Sequence, residues 1–248
     1  MKSRLVRFLA VGSMAGMLLL NAERARAQAG MPGVQISGAM EKLFGEHKAF
    51  SAALELQTEG GPTGPITITG FIANLNQMSR FEMDLSKIQS ASVPAAAIAQ
   101  MKQMGMDKMV MIAIPDKKTV LMEYPSMKAY VEMPLPDEGS TKMEDYKIEL
   151  TELGAETVAG HPCVKNKSVV TGPDGVKHES TVWYATDMDK FPVKIEVNEN
   201  ETKIAMIFKD VKLEKPAASQ FAAPTNFQKY ESMTSLMMSK MKVGQGAQ

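Results

Sequence analysis

The chain has 248 residues with 28 basic and 28 acidic side chains, and the single arginine beyond residue 27 is Arg80. That length is enough for one domain that buries about 70% of its unfolded surface. So few arginines argue against nucleic-acid recognition, which relies on the planar two-point grip of guanidinium on phosphate.

Residues 1–27 read as a cleavable signal peptide. Lys2, Arg4 and Arg7 precede an apolar run from Phe8 to Leu20, and Ala25 and Ala27 form an A-x-A site before Gln28. An apolar run of about 13 residues is too short to span a bilayer, which takes roughly 20. Removing residues 1–27 takes away five basic groups and one acid, leaving 23 basic against 27 acidic, a net charge of −4. The expected destination is the periplasm or the exterior. Cys163 is the only cysteine, so no internal disulfide forms there, and it reads as a buried small hydrophobe.

Residues 28–36 form a Gly- and Pro-containing leader. From Ser37, a predicted N-cap, the spacing of Met40, Leu43 and Phe44 predicts a short helix ending at Gly45. The period then changes to two. Strands are predicted at 50–57, 66–72 and 77–85, the first pair joined across a Gly/Pro loop. Ser92 with Pro94 predicts the start of a helix over 95–104 that stops at Gly105. Strands follow at 108–114, 119–124 and 128–133, and the segment from Met109 to Ile114 is apolar on both faces, so it should be covered on both sides. A polar connector, 136–145, separates the halves. Beyond it, strands at 147–152, 161–171, 176–185, 190–198 and 202–213 form an antiparallel meander, with Gly172 to Gly175 as a hairpin turn. A C-terminal helix is predicted over 228–241, with Met233, Met237 and Met241 on one face, and a disordered tail over 243–248. The fold class is therefore α+β: one domain over 37–242, a curved, largely antiparallel β-sheet (half-open barrel) with helices packed across the concave face.

Enzyme signatures such as G-x-S-x-G, H-E-x-x-H, a phosphate loop or C-x-x-C are missing, and a non-enzymatic role without cofactor is expected. His161 and Cys163 share a strand face, but two ligands do not make a metal site. The chain holds 22 methionines. Soft thioethers suit copper(I), yet methionine more often fills pliable apolar surface that accepts ligands of variable shape.

The segment from Val158 to Lys165, VAGHPCVK, with Trp183-Tyr184 and Phe191-Pro192 after it, resembles a family of secreted bacterial proteins known as a domain of unknown function. More distantly, the layout over 40–230 resembles the periplasmic lipoprotein-carrier (LolA-like) superfamily, through Ile68-x-Gly70, Arg80-Phe81-Glu82 and Ser219-x-Phe221-x-x-Pro224. The carrier's Arg-Pro before the third strand and most of its aromatic residues are missing. The resemblance implies a half-open β-barrel closed by helices over an apolar cavity that shelters acyl chains.

The leading expectation is a carrier for a lipophilic molecule or an acylated partner, held in an apolar cleft lined by Met101, Met104, Met109, Met111, Ile204, Met206, Phe208, Met233 and Met237. A structural envelope adaptor without ligand, or a copper(I)-binding protein, is the alternative. An envelope protein is a further candidate partner.

Overall fold

The computed structural model describes residues 38–60, 64–135, 143–199 and 201–245, with side chains through Ser239. The predicted signal peptide, leader and Ser37 cap lie outside the described residues, as does most of the connector.

In chain order the elements are α1 (Gly38–Leu43), β1 (Ala49–Gly60), β2 (Ile66–Leu75), β3 (Met78–Asp84), β4 (Gln89–Ser90), α2 (Ala95–Gln103), β5 (Lys108–Ile114), β6 (Thr119–Tyr124), β7 (Ala129–Pro134), β8 (Lys147–Val158), β9 (His161–Thr171), β10 (Lys177–Ala185), β11 (Phe191–Glu199), β12 (Thr202–Lys212), β13 (Gln228–Tyr230) and α3 (Met233–Gln245). The thirteen strands form one sheet, in the order β13-β7-β6-β5-β3-β2-β1-β12-β11-β10-β9-β8, with β4 paired to β2. The path does not close on itself. Every pairing is antiparallel except that of β13 with β7.

Turn chemistry explains the β5-β6-β7 meander. Pro115–Lys117 and Pro125–Met127 are single 3₁₀ turns opened by proline, whose fixed φ suits that position. Each ends in a left-handed lysine, Lys118 at φ 49° and Lys128 at φ 48°. Between β2 and β3, Gly70 allows a close approach of backbone: a Cβ there would lie 2.1 Å from the Glu82 carbonyl oxygen.

Two predicted helix starts need correction. Pro94, not Ser92, occupies the N-cap of α2, and no side chain caps it. The C-terminal helix begins at Met233 instead of residue 228, because Gln228–Tyr230 pairs with Ala129, Tyr130 and Val131 on the edge of β7. Ser232 and Ser235 then cap the helix reciprocally: each hydroxyl oxygen accepts the other's backbone N–H, at 3.1 Å. The helix runs on to Gln245, into the first residues of the predicted tail. β8 is longer than predicted, with a bulge between Glu152 and Gly154. It forms the far edge of the sheet, where Leu150 and Leu153 are exposed.

The registers assign every side chain to one of two faces. On the first, which α1 and α3 cover, lie Phe50, Leu54, Ile72, Phe81, Met109, Val131, Val182, Ile195, Met206 and Phe208. Here α1 packs Ala39, Leu43 and Phe44 onto a core of Phe50, Phe191, Phe208, Val182 and Ile195. Phe44 stacks on Phe50 at 4.7 Å between centroids, and Phe191 meets Phe50 edge-on at 5.0 Å.

The second face is covered at β5 by the 3₁₀ turn Ala218–Phe221, where buried Phe221 packs with Val110, Ile112, Ile114 and Leu121. Residues 109 to 114 are thus buried on both faces. Farther along this face, Trp183 is 2% exposed. Lys165 and Lys194 lie over its ring at 4.9 and 4.3 Å, and its Nε1 donates to Glu156 at 3.0 Å.

Candidate functional site

Methionine converges on one region. Under α3, Leu236 is fully buried among Met109, Tyr124, Met127, Ala129 and Val131, and Met83, Met106, Met122, Met133, Met233 and Met237 pack around them half-buried. Eight of the side chains in this cluster are methionines. They arrive from β3, β5, β6, β7, the loop after α2, the turn before β7 and α3. Period-two geometry explains the gathering: Met83 is paired with Met109, Met122 with Val131, and Tyr124 with Ala129, so all lie on the helix-covered face. Gly105 lets the end of α2 approach, since it has φ 71° and a Cβ there would lie 2.6 Å from Met127 Cγ.

Two phenols belong to the cluster, Tyr124 and Tyr230. Burial pushes the Tyr124 phenol up to about 12, so it stays neutral at any physiological pH. Tyr230 accepts a hydrogen bond from Ser239 Oγ at 3.1 Å, tying β13 to α3. The cluster is apolar and covered by one helix, α3, through buried Leu236, with Met237 one residue to its C-terminal side and Met233 three to its N-terminal side.

The predicted lining residues divide among three places. Met109, Met233 and Met237 meet in the methionine cluster. Met111 is buried, on the same face of β5 as Met109. Met101 and Met104 lie on or just after α2, with Met104 42% exposed. Met206 and Phe208 belong instead to the aromatic core under α1, and Ile204 is buried on the same face of β12. The structure therefore does not bring the β12 residues together with the methionines of α3. Met83, Met122 and Met133 are not among the expected lining residues, because cross-strand register decides their company and no single strand shows it; Met127, in the turn before β7, is not among them either.

Cys163 is buried, its Sγ donates to the His161 carbonyl at 3.3 Å, and burial raises its thiol above the ordinary value. His161 Nδ1 instead meets Asp187 at 3.0 Å. Among the described residues no three His, Cys, Asp or Glu side chains gather in a metal-binding arrangement. Nor, among them, is any helix long and apolar enough to cross a membrane.

No family model and no curated protein matches the sequence. Several solved structures align with the chain at low identity. LprF from Mycobacterium bovis aligns over 76% of this chain and 97% of its own at 13% identity, with a TM-score of 0.42. The lipoprotein LppX from Mycobacterium tuberculosis aligns over 69% and 89% at 9% identity, TM-score 0.39. A LolA superfamily protein from Nitrosomonas europaea aligns over 75% and 96% at 12% identity, TM-score 0.38.

Proposed function

We propose that the protein is a non-catalytic, exported binding or carrier protein that holds a lipophilic molecule or an acylated partner against the methionine-lined face of β5, β6 and β7, with α3 as a displaceable cover. The observation that carries this reading is the cluster of eight methionines around Leu236. A permanent core would be better specified by leucine and isoleucine, whose rotamers are defined; flexible thioethers suit a surface that repacks around different occupants. The half-open, curved form of the sheet and export by residues 1–27 belong to the same proposal.

The neutral dye N-phenyl-1-naphthylamine tests it. It should bind the purified protein and be displaced by a fatty acid or phospholipid. Changing both Met233 and Met237 to lysine should weaken it at least five-fold, with little change in melting temperature because both side chains are half-buried at a helix surface. Folded protein that binds neither dye nor lipid removes the carrier reading.

The same cluster favours one second reading, copper(I) binding, because it supplies soft ligands. Under the carrier reading the protein takes up no copper(I) against a competing chelator, before or after Met104, Met106, Met109 and Met111 are replaced with leucine. A tight copper(I) complex lost in that variant would reverse the order of the two.

A further inference from the structure

On the face opposite the methionines, the segment after β12 does not lie flat on the sheet. Between it and β2, β3 and β6 is an open cleft of about 960 Å³. Its walls are apolar, from Phe71, Pro125, Pro224 and Phe227, and its floor carries Arg80, Glu82 and Glu123. This volume lies within the range of small-molecule sites.

The floor is unbalanced. Arg80 is already engaged: its Nε donates to Glu82 at 2.7 Å and its Nη1 to the Gln220 carbonyl at 2.8 Å. Glu123 is left behind. Its side chain is 4% exposed and stands 3.8 Å from Arg80 Nη1, beyond hydrogen-bond distance, and its Oε1 has no partner at all. A buried carboxylate oxygen without a hydrogen-bond partner is costly to retain, and the long ion pair of the other oxygen with Arg80 does not satisfy it. Two carboxyls face one guanidinium, and the lining residues contributed by the covering segment, from Ser219 to Phe227, are all uncharged. Burial, assisted by Glu82 and opposed by Arg80, raises the Glu123 carboxyl above the ordinary range. An anion entering this cleft would meet Glu82 and Glu123 and find the guanidinium occupied.

We propose that this cleft is a binding site for a small organic cation, with a protonated nitrogen donating to Glu123 Oε1 and an apolar or aromatic body against Phe71, Pro125 and Phe227. The site is independent of the methionine face and of the function proposed for it.

Three probes of one shape test the proposal by calorimetry on the purified protein: phenethylamine, uncharged phenethyl alcohol and anionic 3-phenylpropionate. The amine should bind at least ten-fold more tightly than either of the others. Glu123→Gln, which keeps the shape of the side chain and removes its charge, should erase that preference while leaving the melting temperature and N-phenyl-1-naphthylamine binding intact. Phe227→Ala, on the exposed covering segment, should weaken the amine and the alcohol alike. Tighter binding of the anion, equal binding of all three, or an amine preference that survives Glu123→Gln would overturn the assignment.

Discussion

Phe208→Asp should abolish the cooperative unfolding transition of the protein, and Phe208→Ala should lower its stability by about 3–5 kcal/mol. Phe208 is 1% exposed, 5.5 Å from the Phe44 ring and 6.1 Å from Phe191. Its strand neighbour is Leu54 on β1. A carboxylate placed there has no partner and no water, and several kcal/mol of desolvation rival the whole stability of a typical domain. Urea denaturation followed by tryptophan fluorescence checks both variants, since Trp183 is the single tryptophan and is buried in the same sheet. A folded Phe208→Asp protein that had merely lost its affinity for an apolar dye would show that Phe208 lines a cleft, as its strand pattern suggests, and is not core.

The second large effect depends on pH. Glu41 of α1 is pushed up to about 7, first by burial and then by Glu144 of the 3₁₀ turn Met143–Asp145, with Lys48 acting in the opposite sense. These groups surround a cavity of about 210 Å³ that also receives His47 and Asn74. In the unfolded chain Glu41 loses its proton near pH 4.5, whereas in the folded protein it keeps the proton to about 7. Below 4.5 both states are protonated and Glu41 contributes its full stabilisation. As pH rises from 4.5 to 7 that contribution is lost, by at most about 3.5 kcal/mol at roughly 1.4 kcal/mol per unit, and by less because solvent screens this part-exposed carboxyl. Glu41→Gln does not titrate. It should match the parent near pH 4 and be more stable by about 1–3 kcal/mol at pH 8. Lowered carboxyls such as Glu55 and Glu196 work in the opposite direction, so the difference between variant and parent at each pH is the quantity to follow. A difference that stays constant from pH 4 to 8 would refute the shift.

Much of the architecture was legible because sheets write themselves locally. Period-two runs placed β5 and β6 to the residue, and the doubly apolar strand from Met109 to Ile114 announced its two covers. The helix ends were harder. Gln228 to Tyr230 has no strand signature of its own and is extended only because β7 offers an unpaired edge about a hundred residues earlier. The methionine cluster was partly legible: Met233 and Met237 advertise a helix face, but which strands lie under that face is a matter of register between distant segments. That is why Met206 and Phe208, similar in pattern to Met109, go to a different cluster. Glu123 was invisible for the same reason. An acid at an alternate strand position reads as solvent-facing until Phe221 and its neighbours are seen to cover that face.

The order in which the chain is made has a consequence here. Strands β5, β6 and β7 are complete by residue 134, yet one of their faces is covered by Phe221 and the other by Leu236. Until residues 218–239 have left the ribosome, an apolar sheet rich in methionine stands bare on both sides. Nascent chains in that interval are the form most exposed to self-association and to capture by chaperones.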